Sequence, residues 1–182
     1  KFLFKDYFFY MIYFQKEGVV ENELEKDMRR SLLSIYGSLQ SDGSPSETFQ
    51  PKPYNVDMTF LDSIGSFEKI PQWLNEDDFN YYLERFAKNG MRGPINWYRN
   101  IDCNWEITKD THKSKIDIPA CFITGEDDPV SVWAPIDENN YSQLKINKII
   151  NGAGHWLQQE KPDEVNNICL LYTSPSPRDS DS

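Results

Sequence analysis

The sequence is short of cysteine, histidine and positive charge. Its three cysteines, Cys103, Cys121 and Cys169, are odd in number and far apart. They point to no disulfide framework and offer no zinc-ligand spacing. Nineteen Lys and Arg stand against 29 Asp and Glu, a formal net charge of −10. Affinity for nucleic acid comes largely from Lys and Arg, so no nucleic-acid partner is expected. A well-solvated surface is the ordinary meaning of such acidity. No apolar run approaches the roughly 20 residues that span a bilayer. Residues 7–14, Tyr-Phe-Phe-Tyr-Met-Ile-Tyr-Phe, are too short and too aromatic for the apolar region of a signal peptide. With no membrane span, cytoplasmic residence is the default expectation. No internal repeat is found.

What is present is aromatic. Phe, Trp and Tyr make up 14% of the 182 residues, too many for a disordered chain, so at least part is packed. The length allows a domain with a real core. The chain opens at Lys1 without Met and enters an aromatic run at once. It reads as a fragment whose true beginning lies upstream.

Taken in order, residues 1–17 do not settle helix against strand by periodicity. Residues 21–36 have a helical pattern, with Leu24, Met28, Leu32 and Ile35 on one face and Glu25 four before Arg29 on another. Residues 37–55, rich in Ser, Gly and Pro, read as a long loop. Residues 56–74 give no clear period. Asn75 is placed to cap a helix whose first turn holds Glu76, Asp77 and Asp78. Phe79, Tyr82, Leu83 and Phe86 form its stripe, and Asn89-Gly90 ends it. Gly93-Pro94 opens a further helix with Trp97, Tyr98 and Ile101 on one side.

From about residue 115 the signal changes to alternating strand and helix, as in α/β folds. Residues 118–124 read as a buried strand bounded by Gly125, and residues 145–150 as the next. Residues 130–144 read as partly helical, with Pro135 at a helix start or break. Pro162 suits the first turn of a final helix. The last stretch, Cys169-Leu-Leu-Tyr-Thr-Ser-Pro-Ser-Pro-Arg-Asp179, resembles a translated sequencing adapter. Residues 169–182 are therefore set aside as an adapter-derived, disordered tail, although their first four could prolong the helix.

The chemistry lies at the two strand ends. One carries Gly125-Glu-Asp-Asp-Pro-Val130, the other Asn151-Gly-Ala-Gly-His-Trp156. A histidine in a Gly-rich loop can be a general base. Asp128 lies 27 residues before His155, room for a helix and a strand that would bring both loops to one sheet edge. An acid there would hold the imidazole in its working tautomer. Spacing does not choose between Asp127 and Asp128, and either could simply form a turn before Pro129. His112, in a polar stretch, reads as an ordinary surface histidine. Tyr10 and Tyr82 sit in aromatic or apolar patterns where core packing is the default.

Several stretches together resemble the soluble epoxide hydrolases. The run from Phe79 to Trp105 looks like that family's passage from lid to core, and Arg92-Gly-Pro-Ile-Asn-Trp-Tyr-Arg-Asn100 is its most specific part. Tyr10-Met-Ile-Tyr-Phe-Gln15, followed by Glu17-Gly-Val19, resembles the opening of the lid. Gly125-Glu-Asp-Asp-Pro-Val130 and Gly154-His-Trp156 are similar to the acid and histidine loops. The likeness spans residues 7 to about 168. It implies the C-terminal part of an α/β-hydrolase fold: a helical lid over residues 1–90, part of the core over 91–168, and an incomplete sheet. It implies that His155 is the base, that Asp128 is its partner, and that Tyr10 and Tyr82 hold the epoxide oxygen. The expected reaction opens an epoxide to a vicinal diol through an alkyl-enzyme ester. The expected partners are a small lipophilic epoxide and water, with no cofactor and no metal. The family's nucleophile, an aspartate in a Gly-x-Asp-x-Gly elbow, and the His-Gly-x-Pro stretch before it are not in this sequence. Both are expected upstream, and the fragment alone is expected to be inactive. The alternatives are another lid-bearing α/β-hydrolase, such as a dehalogenase, and a non-catalytic ligand-binding protein on the same fold.

Overall fold

The computed structural model of the chain describes residues 6–41, 52–53, 55–111 and 114–173. These form two compact units, residues 1–39 with 46–112 and residues 40–45 with 113–182. His112 and residues 174–182 of the tail lie outside the described residues, as does most of the expected loop at 37–55.

The first unit is helical: α1 (Tyr10–Tyr13), α2 (Val19–Glu25), α3 (Met28–Ser38), α4 (Phe60–Ile64), α5 (Glu76–Asn89), α6 (Arg92–Arg99) and α7 (Ile101–Thr108). The single helix expected over 21–36 is two. Asp27 breaks it, because its carboxylate accepts the Arg30 N–H at 3.0 Å and starts α3 afresh. Leu24 and Leu32 are fully buried as the stripe requires. The Glu25–Arg29 pair does not form. Glu25 instead accepts the Met91 N–H at 2.7 Å, and the Arg29 guanidinium lies 5.0 Å above the Phe79 ring.

Where residues 56–74 showed no period, α4 forms behind a capping box. Thr59 accepts from the Asp62 N–H, and the Asp62 carboxylate accepts from the Thr59 N–H at 3.1 Å. α5 matches its sequence signals. Asn75 accepts the Asp78 N–H at 2.8 Å, Phe79 is fully buried, and Gly90 ends the helix at φ 72°.

α6 corrects one expectation. Ile95 is buried and Tyr98 packs on the core, while Trp97 is 78% exposed and Ile101 is exposed too. α6 stops at Arg99, so Ile101 begins a new helix instead of continuing the old face. Ile95 and Met91 join Phe14, Val20 and Leu24 in one core cluster. This packing ties α6, beyond residue 90, to the first unit. Leu32, Leu33, Leu74 and Phe79 form a second cluster.

A buried ion pair ties these helices together. Arg99 Nη1 meets Glu21 Oε1 at 2.5 Å, each side chain being 11% exposed. Arg99 Nε also donates to the Phe14 carbonyl at 2.9 Å, and Glu21 accepts the Gly18 N–H at 2.9 Å. The hydrogen bond from Arg99 holds the Glu21 carboxyl below its ordinary range against the opposing effect of burial.

The second unit holds β1 (Ala120–Gly125), α8 (Pro129–Trp133), a 3-10 turn (Glu138–Asn140), β2 (Leu144–Ile150), α9 (Leu157–Glu160) and α10 (Pro162–Thr173). β1 and β2 pair in parallel, Gly125 opposite Ile150, with an irregularity at Ala120/Cys121. The strand expected from residue 118 begins at Ala120 and is half-buried, not buried; Ile118 is exposed. Ile150, Ala153 and Leu157 make the core of this unit, with Ile123, Val165 and Ile168 against it. α10 continues through Cys169 to Thr173, and the Tyr172 hydroxyl donates to the Pro119 carbonyl. No helix among the described residues is long and apolar enough to cross a membrane.

Removing one partner of the Arg99–Glu21 pair leaves the other charge buried. Glu21→Ala is expected to destabilise the first unit by about 3 kcal/mol in urea melts. Because the folded-state Glu21 pKa is lowered from its ordinary value of 4.5, the pair's contribution is complete above that value and is lost as pH falls from there through the lowered one. The urea-midpoint gap between the parent and Glu21→Gln should therefore narrow on acidification. A gap independent of pH would contradict this.

Candidate functional site

Two adjacent parallel strands send their following loops off the same sheet edge. β1 runs out through Gly125 into Glu126, Asp127 and Asp128. β2 runs out through Gly152, which turns at φ 60°. The two loops are laced together by backbone. Glu126 N–H donates to the Ile150 carbonyl and Asp127 N–H to the Ala153 carbonyl, both at 2.9 Å. Gly152 N–H donates to the Glu126 carboxylate at 3.2 Å.

The lacing depends on Gly125. A Cβ at that position would lie 2.3 Å from the Ala153 carbonyl oxygen and 2.4 Å from that of Gly154. Both obstacles are backbone, so no side-chain rotation would relieve the clash.

Asp128 caps α8, its Oδ1 accepting the Val130 N–H at 2.9 Å, with Pro129 in the first turn. The same carboxylate faces His155. Nδ1 lies 3.1 Å from Oδ1 and 3.2 Å from Oδ2. Asp128 is 15% exposed and His155 36%. Burial works to raise the Asp128 pKa, but the hydrogen bonds from His155 and the Val130 amide, with the attraction of the imidazolium, hold it below the ordinary carboxylate value. With Nδ1–H donated to a carboxylate, Nε2 of the neutral ring is the nitrogen left to accept a proton. The Trp156 ring stands edge-on to the imidazole at 5.2 Å.

The geometry separates the two acids that spacing left open. Asp127 does not face the imidazole; its carboxylate takes the Ser41 hydroxyl instead. No group of three or more His, Cys, Asp and Glu among the described residues could hold a metal ion.

Tyr10 and Tyr82 lie in the first unit. Tyr10 opens α1 and packs on the Phe14 cluster, with ring centroids 5.4 Å from Phe14 and 5.5 Å from Tyr98. Burial first, then Tyr98, pushes its pKa well above that of an ordinary phenol. Tyr82 packs on the Leu32 cluster, 5.9 Å from Tyr36. Burial, and then Tyr82, pushes Tyr36 up to about 12. So each expected tyrosine has a second tyrosine beside it that sequence reasoning passed over. Tyr98 was within reach, three residues after Ile95 in the motif residues. Tyr36 was hidden because its neighbour lies on another helix.

Gly125→Ala is expected to part the acid and histidine loops and to cost about 1–3 kcal/mol of stability. Thermal melts read the cost, and imidazole nitrogen NMR reads whether Nδ1–H remains bonded to Asp128. In the same spectra Asp128→Asn should change the His155 ring tautomer and Asp127→Asn should leave it. The reverse pattern would contradict the assignment of partners.

No protein-family model matches the chain. Known sequences and structures do. The chain is 35% identical over 175 residues to epoxide hydrolase A of Mycobacterium tuberculosis, a match covering 93% of this chain and 53% of that protein. The crystal structure of epoxide hydrolase A from Mycobacterium thermoresistibile superposes with a TM-score of 0.81 at 34% identity, over 93% of this chain and 53% of that one. An epoxide hydrolase from an endophytic Streptomyces gives a TM-score of 0.84 at 33% identity, over 92% and 52%. The chain thus spans about half the length of these relatives. The matches do not favour the dehalogenase alternative. On sequence and fold together, the chain groups with the epoxide hydrolases of the α/β-hydrolase fold.

Proposed function

We propose that the whole protein opens epoxides to vicinal diols in two steps, and that this chain supplies the acid assistance and the water activation. The Asp128–His155 pair, in a chain that matches epoxide hydrolases over nine tenths of its length, carries the reading. A carboxylate nucleophile from residues outside this chain attacks an epoxide carbon. The carbon–oxygen bond breaks and an alkyl-enzyme ester forms. Tyr10 and Tyr82 donate to the departing oxygen, and one of them supplies its proton. Packed against Phe14 and Tyr98, the Tyr10 phenol is held by burial above its ordinary range, so it enters the reaction as a neutral hydrogen-bond donor and gives up its proton only to a strongly basic developing alkoxide. His155 then takes a proton from water, and the hydroxide attacks the ester carbonyl. The acyl–oxygen bond breaks, the diol leaves, the carboxylate is restored, and the proton on His155 returns to the tyrosine that gave up its own. Asp128 keeps Nδ1 protonated and stabilises the imidazolium. Residues 1–90 act as the lid in this reading, and the substrate is a small lipophilic epoxide.

The test needs the full-length protein. His155→Gln should form the ester but fail to hydrolyse it, with kcat reduced by about a thousandfold or more. Mass spectrometry should then find the enzyme heavier by one substrate molecule. Tyr82→Phe should slow formation of that adduct about 10-fold to 100-fold while the protein stays folded. Full turnover by His155→Gln, or equal ester formation by Tyr82→Phe, would contradict the proposal. Turnover of haloalkanes in place of epoxides would favour the dehalogenase alternative.

A further inference from the structure

Glu160 has no part in the chemistry above, yet its carboxylate is the hub of the histidine loop. Oε2 accepts the Gly154 N–H at 2.9 Å, and Oε1 accepts the Trp156 N–H at 3.1 Å. These are the amides on either side of His155. With both held by one rigid, planar group, the His155 backbone has little freedom to tilt. Only the two side-chain torsions remain, and the bond from Nδ1 to Asp128 holds those. The carboxylate is itself held. It closes α9, whose Glu160 N–H bonds the Trp156 carbonyl at 2.8 Å, and the loop it grips lies five residues back in the chain.

Oε2 accepts a third donor, the Ser41 N–H at 3.0 Å. The Ser41 hydroxyl then donates to Asp127, the neighbour of Asp128. One serine therefore joins the carboxylate that grips the histidine loop to a carboxylate on the acid loop. Asp127, left without an imidazole to bind, serves as the far anchor of this bridge.

We propose that Glu160 is a positioning residue for His155: by gripping the amides of Gly154 and Trp156 it aims the imidazole at Asp128, with Ser41 and Asp127 extending the same brace to the acid loop. The inference rests on the Asp128–His155 pair of the proposed function. Donors clamped by a charged acceptor make short and comparatively strong hydrogen bonds. Outer groups that orient a working histidine have large effects although they touch no reactant.

The full-length protein serves for the test, with the His155 ring nitrogens assigned by their loss in a His155→Gln variant. Couplings across the hydrogen bonds, from the Gly154 and Trp156 amide nitrogens to the Glu160 carboxyl carbon, should be observed in the unaltered protein. In Glu160→Gln, which keeps one acceptor and sets an NH2 against the other amide, hydrogen exchange at Gly154 or Trp156 should rise about tenfold or more. The His155 Nδ1–H tautomer should lose at least half its excess over Nε2–H. Glu160→Ala should lose the preference altogether, and Glu160→Asp, too short to span both amides, should not restore it. A residue that merely stabilised the fold would lower the melting temperature without moving the tautomer. Folded variants with the parent tautomer ratio, or a parent protein without the two couplings, would overturn the proposal. Asp128→Asn keeps the two readings apart. If it leaves the tautomer unmoved, the Asp128–His155 pair itself has failed. If it moves the tautomer and the Glu160 variants do not, only the role of Glu160 has failed.

Discussion

Everything at the candidate site depends on how closely two backbone loops approach. β1 and β2 are parallel neighbours, so their following loops leave one edge together. Gly125 lets them close to a distance that a single methyl group would forbid. Two backbone hydrogen bonds then fix the gap, from Glu126 to Ile150 and from Asp127 to Ala153. Asp128 follows immediately, and its side chain caps α8 while it faces His155. The position of the carboxylate is thus set by main-chain geometry on one side and a helix terminus on the other. Little is left to side-chain freedom, and a carboxylate that must hold an imidazole in one tautomer needs that restriction.

The candidate residues sit in two kinds of electrostatic environment. In the helical unit, burial and then Tyr98 hold the Tyr10 phenol above its ordinary range. Water activation needs a neutral imidazole with an ionised carboxylate behind it, and the lowered Asp128 pKa produces that. Opposite electrostatic tasks are met by opposite environments: aromatic packing around the phenols, hydrogen-bond donors around the carboxylate. The Arg99–Glu21 pair is the counterpart in the helical unit, since it ties the segment after Tyr10 to the helix that carries Tyr98.

Local chemistry was the part of the structure most legible in the sequence. Asn75, the acidic first turn, the Phe79 stripe and Gly90 defined α5 because each signal acts within a few residues. The failures share a cause. Asp27 was hidden inside a continuous apolar stripe, and only its side-chain bond to Arg30 reveals the break. Glu25 met Met91, 66 residues away, instead of Arg29 nearby. Trp97 is exposed because α6 buries the face that carries Ile95 and Tyr98, and Ile101 left that face when the helix ended at Arg99. At the site, the family resemblance implied Asp128 and His155, but spacing could not separate Asp127 from Asp128. Three-dimensional contact does so by giving Asp127 to Ser41, a partner 86 residues earlier in the chain. Glu160 carried no visible signal at all, since a carboxylate gripping two amides leaves no pattern in a sequence.

The central claim is that water attacks an enzyme ester and not the epoxide. The most direct measurement is a single turnover of the full-length protein in 18O-labelled water, with enzyme in excess over a lipophilic epoxide. The account predicts a first-turnover diol without the label, because its new oxygen comes from the nucleophilic carboxylate, and it places the label in that carboxylate. A diol labelled on the first turnover would contradict it, since His155 and Asp128 would then be activating water against the epoxide itself.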